Sequence, residues 1–110
     1  MALNKKDKFN KEEIELSDFA KSIAHPARIA ILKVLAKHNT CICGEIVEVL
    51  PLAQSTVSQH LKALQKAGLI KGTIDGAKSC YCIDGKKFNK FISAFEELSD
   101  KLKNTNSNCC

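Results

Sequence analysis

Polar and apolar positions recur with a helical period over most of this chain, with one short interruption of strand character. Leu16, Phe19, Ala20 and Ile23 line one helical face, and Asn10 followed by Glu13 reads as a capping box that opens it. His25-Pro26 breaks this first helix, because the residue before a proline is pushed away from helical angles. Pro26 also suits the start of a second helix, from Ala27 to about Lys37. Ile29, Ala30, Ile31, Leu32, Val34 and Leu35 make it apolar nearly all round, which predicts a central, buried element. His38-Asn39-Thr40 ends it.

The stretch from Thr40 to Leu69 predicts two short helices around a proline-marked turn. One starts near Cys43 and stops at Leu50, before Pro51. The other runs from about Gln54 to Ala67, with Gln54 or Ser55 near its N-cap and Gly68 ending it. Val57, Leu61 and Leu64 share one face of this helix. Gln54, Ser55, Thr56, Ser58, Gln59, His60 and Lys62 occupy the other. A short helix, a turn and a second helix with a polar outer face make the helix-turn-helix pattern. Two β-prone runs follow, Leu69 to Ile74 and Ser79 to Ile83, around Asp75-Gly76; they predict a hairpin placed as a wing. A last helix spans about Lys86 to Lys103. Its Phe88, Phe91, Phe95, Leu98 and Leu102, with Ile92 beside them, form a narrow apolar seam. Such a seam fits a partner helix, or the chain's own core. The expected organisation is a disordered arm over 1–9, a winged-helix domain over 10–103 and a flexible tail over 104–110. The fold class is mainly α with a small β-hairpin, about five helices plus a two-stranded wing.

Composition narrows the function. A chain of 110 residues forms one domain with a modest core. A net charge of +5 suits a nucleic-acid partner without requiring one. The N-terminal residues have no apolar signal-peptide core, and no apolar run approaches the ~20 residues of a membrane span. The six cysteines fall in close pairs, Cys41/Cys43, Cys80/Cys82 and Cys109/Cys110, unlike the scattered staples of a secreted domain. A reducing cytoplasm and free thiols are expected. No nucleophile–base constellation or phosphate loop is present, so catalysis is not expected and no cofactor is required.

The recognition helix of such a motif presents its N-terminal half to base edges. Here that half carries Gln54, Ser55, Thr56, Ser58 and Gln59. Gln pairs bidentately with adenine, while Ser and Thr adapt to several bases. Lys62, Lys66 and Lys71 suit phosphates, and Lys78 is the natural contact from the wing. His60 suits either the DNA or the turn. His25 and His38 are expected as cap or surface residues.

Several segments together resemble the ArsR/SmtB family of small winged-helix, metal-sensing repressors. They are Ala24-His-Pro-Ala-Arg-Ile-Ala-Ile-Leu, Gln54-Ser-Thr-Val-Ser-Gln-His-Leu-Lys-Ala-Leu, Ala67-Gly-Leu-Ile and the hairpin with Tyr81-x-Ile83. The likeness runs in order from about Ile14 to Leu98. It implies a homodimer built on the first and last helices, and an operator-bound form released by an inducer. It also implies an operator that is an imperfect palindrome.

Cys41-Ile-Cys43 stands where the arsenic, antimony and cadmium/lead sensors of that family carry C-x-C. Thiolates are the ligands that soft ions select, and a helix N-terminus favours the thiolate form. At a helix start the two sulfurs would point about 200° apart, so one ion could join them only after local unwinding, which Gly44 eases. Where arsenite repressors often have a third cysteine, this chain has Ile46. A third sulfur must then come from Cys109 or Cys110, or less favourably from Cys80 or Cys82. Alternatively two thiols suffice for a trivalent arsenical bearing one organic group. The expected inducer is therefore As(III), Sb(III) or a trivalent organoarsenical. The same cysteines leave open a thiol redox sensor or a cadmium/lead-responsive repressor, although the N-terminal arm lacks the cysteine that cadmium/lead sensors use. The last helix has no His, which excludes the family's zinc site there.

Overall fold

A computed structural model describes residues 8–37, 42–43, 50–73 and 80–105, with the backbone alone at 42, 43 and 73. Along them run α1 (Lys11–Ser22), α2 (Pro26–Lys37), β1 (Ile42–Cys43), α3 (Gln54–Lys66), β2 (Ile70–Thr73), β3 (Cys80–Ile83) and α4 (Gly85–Lys103).

α1 opens on the expected capping box. The Asn10 side chain accepts from the Glu13 amide at 2.8 Å, and the Glu13 carboxylate accepts from the Asn10 amide at 3.1 Å. The helix ends at Ser22, earlier than the His25-Pro26 break alone requires, and Pro26 becomes the first residue of α2. α2 is central on one side only. Ala27, Ile31 and Leu35 are buried, whereas Ile29 on the opposite side is exposed.

The core joins α2, α3 and the sheet through Ile31, Leu35, Val57, Leu61, Leu64, Leu69, Ile70 and Tyr81. Burying each of the large side chains stabilises the fold by roughly 1.5–3 kcal/mol. Val57, Leu61 and Leu64 are the apolar face predicted for α3, at 0–3% exposure. That helix starts from Ala53, which offers no side-chain hydrogen bond, so neither Gln54 nor Ser55 is its N-cap. It ends as expected on Gly68, at φ +82°, with the Gly68 amide donating to Gln65 and the Leu69 amide to Leu64. This is the left-handed turn glycine adopts most cheaply.

The largest departure lies ahead of α3. Cys43 does not begin a helix; Ile42 and Cys43 form a strand. The wing is therefore one part of a three-stranded antiparallel sheet, ordered β1-β3-β2, rather than a free two-stranded hairpin. Ile42 stands opposite Tyr81 and Cys43 opposite Cys80. On the other side of β3, Gly72 faces Tyr81 and Thr73 faces Cys80. A local pattern could not show this, because the partner strand lies 37 positions further on. The remainder of the predicted helix, 44–49, lies outside the described residues, so the expected fifth helix is not among them. Tyr81 is 2% exposed and marks the core face of the sheet. Gly72, at φ +130°, lets β2 lie close to β3; a Cβ there would collide with the Cys80 carbonyl oxygen and Tyr81 Cα. The Gln65 side chain donates to the Gly72 carbonyl at 2.6 Å, tying the end of α3 to the wing.

α4 starts from Asp84, whose carboxylate accepts from the Lys87 amide. Its apolar seam divides in two. Phe88 and Phe91 pack on the core, and Phe91 stacks on Phe19 of α1 with ring centroids 4.7 Å apart. Ile92, Phe95, Leu98 and Leu102 stay exposed, at 39–59%. Lys90 pairs with Glu15 of α1 at 3.5 Å. No helix among the described residues is long and apolar enough to cross a membrane.

Candidate nucleic-acid interface and thiol site

With Val57, Leu61 and Leu64 buried, the remaining sides of α3 are committed outward. Gln54, Ser55, Gln59 and Lys62 are exposed, and Thr56 and Ser58 are half-buried beside them. The helix thus presents two amides, hydroxyls and a cation on the side away from its core, the groups that read base edges and phosphates. Lys66 and Lys71 are exposed at the far end of α3 and on β2. Lys78 lies outside the described residues.

His60 is placed differently. It is half-buried, and its ring centroid lies 4.3 Å from that of His25. Arg28 Nε donates to His60 Nδ1 at 3.2 Å, and Arg28 Nη1 donates to the Ser22 carbonyl at 2.9 Å. One guanidinium therefore ties the end of α1 and the start of α2 to the middle of α3. Arg28 was not singled out from the sequence, since nothing local joins it to a residue 32 positions away. His25 acts as a cap, as expected: its Nδ1 accepts from the Ala27 amide at 3.0 Å. Partial burial of His60 holds its pKa below the ordinary 6.5, and its electrostatic interactions with His25 and with the Arg28 guanidinium add to the effect. A neutral ring is what the arrangement needs, because only then can Nδ1 accept from Arg28.

Of the cysteines, Cys41, Cys109 and Cys110 lie outside the described residues, and so do the tail ligands expected of the last two. Cys80 and Cys82 lie half-buried on β3 at alternate positions, with Tyr81 between them turned to the core. They occupy the opposite face of the sheet. Cys80 is disulfide-bonded, not the free thiol expected, whereas Cys82 keeps its thiol. Among the described side chains, no three of His, Cys, Asp and Glu gather to hold a metal ion. The register nevertheless sets Cys43, the second cysteine of one C-x-C segment, opposite Cys80, the first of the other.

A groove of about 820 Å³ runs between α1 and α4, lined by Leu16, Phe19, Ile23, Ile92, Phe95 and Leu98 among others. It joins the uncovered half of the α4 seam to the outer side of α1.

Known proteins are similar to this chain in sequence and in fold. The model of the bacterial regulatory proteins of the arsR family matches residues 25–71, from the His25 cap through α3 into β2. The HTH-type transcriptional regulator MJ1325 of Methanocaldococcus jannaschii is 34% identical over 83 residues, covering 74% of this chain and 92% of that protein. The transcriptional repressor PagR of Bacillus anthracis is 34% identical over 82 residues, covering 74% and 82%. Among solved structures, the ArsR family transcriptional regulator RHA00566 superposes with a TM-score of 0.69 at 17% identity. That match covers 89% of this chain and 100% of the other, and it is a likeness of fold.

Proposed function

Because the chain belongs to the ArsR family of bacterial regulatory proteins, which are DNA-binding transcriptional regulators, we propose that it is a repressor of a particular kind: it releases its operator when cysteine thiolates capture a trivalent arsenic or antimony species. The observation that carries this reading is the strand Ile42–Cys43, which precedes α3 in the chain and is paired to the wing. A thiophilic atom held there acts on both parts of the molecule that meet DNA. The strand at Cys43 removes the need to unwind a helix there before its thiol can share an ion. The inducer works only through its preference for the conformation that binds DNA weakly.

DNA contact falls to Gln54, Ser55, Thr56, Ser58 and Gln59 at the bases, with Lys62 and Lys78 at phosphates. The uncovered seam of α4 and the α1 groove support a homodimer through these two helices. Two reading helices related by a two-fold axis call for an imperfect palindrome, its half-sites about 10 bp apart or a multiple of that.

The test is release of promoter DNA, followed by fluorescence anisotropy in titrations with arsenite, a phenylarsenical, cadmium and zinc. Wild type should respond to the arsenicals; Cys41→Ser should lose the response to arsenite, and Cys43→Ser the response to every arsenical. A full response of Cys43→Ser to every arsenical overturns the assignment. Release by cadmium in place of the arsenicals selects the cadmium/lead alternative. The disulfide at Cys80 favours a second reading, a thiol redox sensor. Release by mild peroxide, restored by a reductant and accompanied by a disulfide in the mass spectrum, selects that one.

A further inference from the structure

Cys80 carries a disulfide and Cys82, two residues along the same strand, carries a thiol, so Cys82 is not the partner of Cys80. The position directly opposite Cys80 across the β1–β3 pair is Cys43. Directly opposed residues of an antiparallel pair have Cβ atoms about 4.5–5.5 Å apart. Residues two apart along one strand are about 6.7 Å apart. A disulfide needs Cβ atoms about 3.5–4.5 Å apart, and a single bridging atom tolerates somewhat more. Cys43 with Cys80 is thus better spaced to be joined than Cys80 with Cys82.

On the thiol-sensing reading above, we propose that Cys43 and Cys80 form a cross-strand dithiol, and that it binds a trivalent arsenical carrying one organic group. Such a compound, R–As(OH)2, has two replaceable hydroxyls. Two As–O bonds and two S–H bonds break, two As–S bonds form, and each thiol proton leaves in a water molecule; arsenic stays trivalent. The product fastens β1, ahead of α3, to the wing through R–As. A disulfide between the two is the closed form of the pair and takes no arsenical. A dithiol reductant supplies the two electrons and two protons that reopen it, becoming a disulfide itself.

The pair is isolated in the full-length chain by Cys41→Ser, Cys82→Ser, Cys109→Ser and Cys110→Ser together, which leave Cys43 and Cys80. After reduction, one equivalent of phenylarsine oxide should remove both thiols from titration with a disulfide reagent, and the intact mass should show one adduct per chain. Diamide should instead link peptides 38–62 and 79–86. Adding Cys43→Ser or Cys80→Ser should abolish the link and weaken retention of the arsenical about 100-fold against a monothiol competitor, the loss expected when a two-point attachment becomes one.

Single substitutions in the native background test the same pair if four together unfold the chain. Cys80→Ser should weaken retention and Cys82→Ser should not. Equal, strong retention by Cys80→Ser and wild type overturns the cross-strand pair; if Cys41→Ser and Cys43→Ser then lose it, the arsenic-sensing reading stands without that pair. Retention indifferent to Cys41→Ser, Cys43→Ser and Cys80→Ser alike overturns both.

Discussion

Arg28 joins three helices through a single side chain. Its guanidinium holds the Ser22 carbonyl and the His60 ring together, so the pitch of α3 against the α1–α2 corner depends on it. Arg28→Ala should lower stability by about 1–2 kcal/mol through the two lost bonds, measured as a fall in thermal midpoint. It should also weaken operator binding by more than Arg28→Lys does. His60 adds a pH dependence. Its pKa is lowered in the folded chain, first by burial and then by His25 and Arg28, so the unfolded chain takes up the proton at the higher pH. The stabilising contribution is therefore complete above about pH 6.5, the ordinary value, and is lost as pH falls through the lower folded value. Thermal midpoints between pH 7.5 and 5 should fall more steeply for the wild type than for His60→Gln; parallel slopes would show that His60 does not carry the effect. The sequence marked His60 as a residue of the reader and His25 as a cap. It could not mark their contact, which depends on two helices crossing at that point.

At the scale of elements, α3 has two faces with separable duties. Leu64 is fully buried between α2 and the sheet, while Gln54 and Gln59 are exposed. Leu64→Ala should cost about 2–5 kcal/mol, seen in chemical denaturation, and should lower DNA binding only as the fold is lost. Gln59→Ala should leave denaturation within about 0.5 kcal/mol of the wild type and weaken or relax operator recognition. A stability loss at Gln59 as large as that at Leu64 would contradict the division. Both faces were legible from spacing, because a helix of this length must bury one stripe and the apolar residues here occupy only one. β1 was not legible. Ile42 and Cys43 carry a pattern too short to separate strand from helix, and the preference is settled by pairing with β3.

For the whole molecule, the proposed dimer rests on the divided seam of α4. Phe88 and Phe91 are consumed by contact with Phe19, whereas Ile92, Phe95, Leu98 and Leu102 remain open beside the α1 groove. An apolar surface of this kind marks an interaction site. Phe95→Glu combined with Leu98→Glu should leave secondary structure unchanged and produce a monomer in sedimentation equilibrium. Affinity for a palindromic operator should fall with it, because each monomer then engages a half-site alone. Dimeric sedimentation of that variant would move the interface elsewhere.

Periodicity and capping residues along this chain determined α1, α2, α3 and α4, the polar face of the reader and the apolar seam, because each depends on neighbours within a turn or two. Family likeness, carried by short motifs, was legible for the same reason. Only the tertiary structure decided the strand at Cys43, its register opposite Cys80, the Arg28–His60 tie and the point where the α4 seam ceases to be covered. Each of these joins residues brought together by packing rather than by proximity in the chain, so no local pattern of hydrophobic and polar residues encodes it.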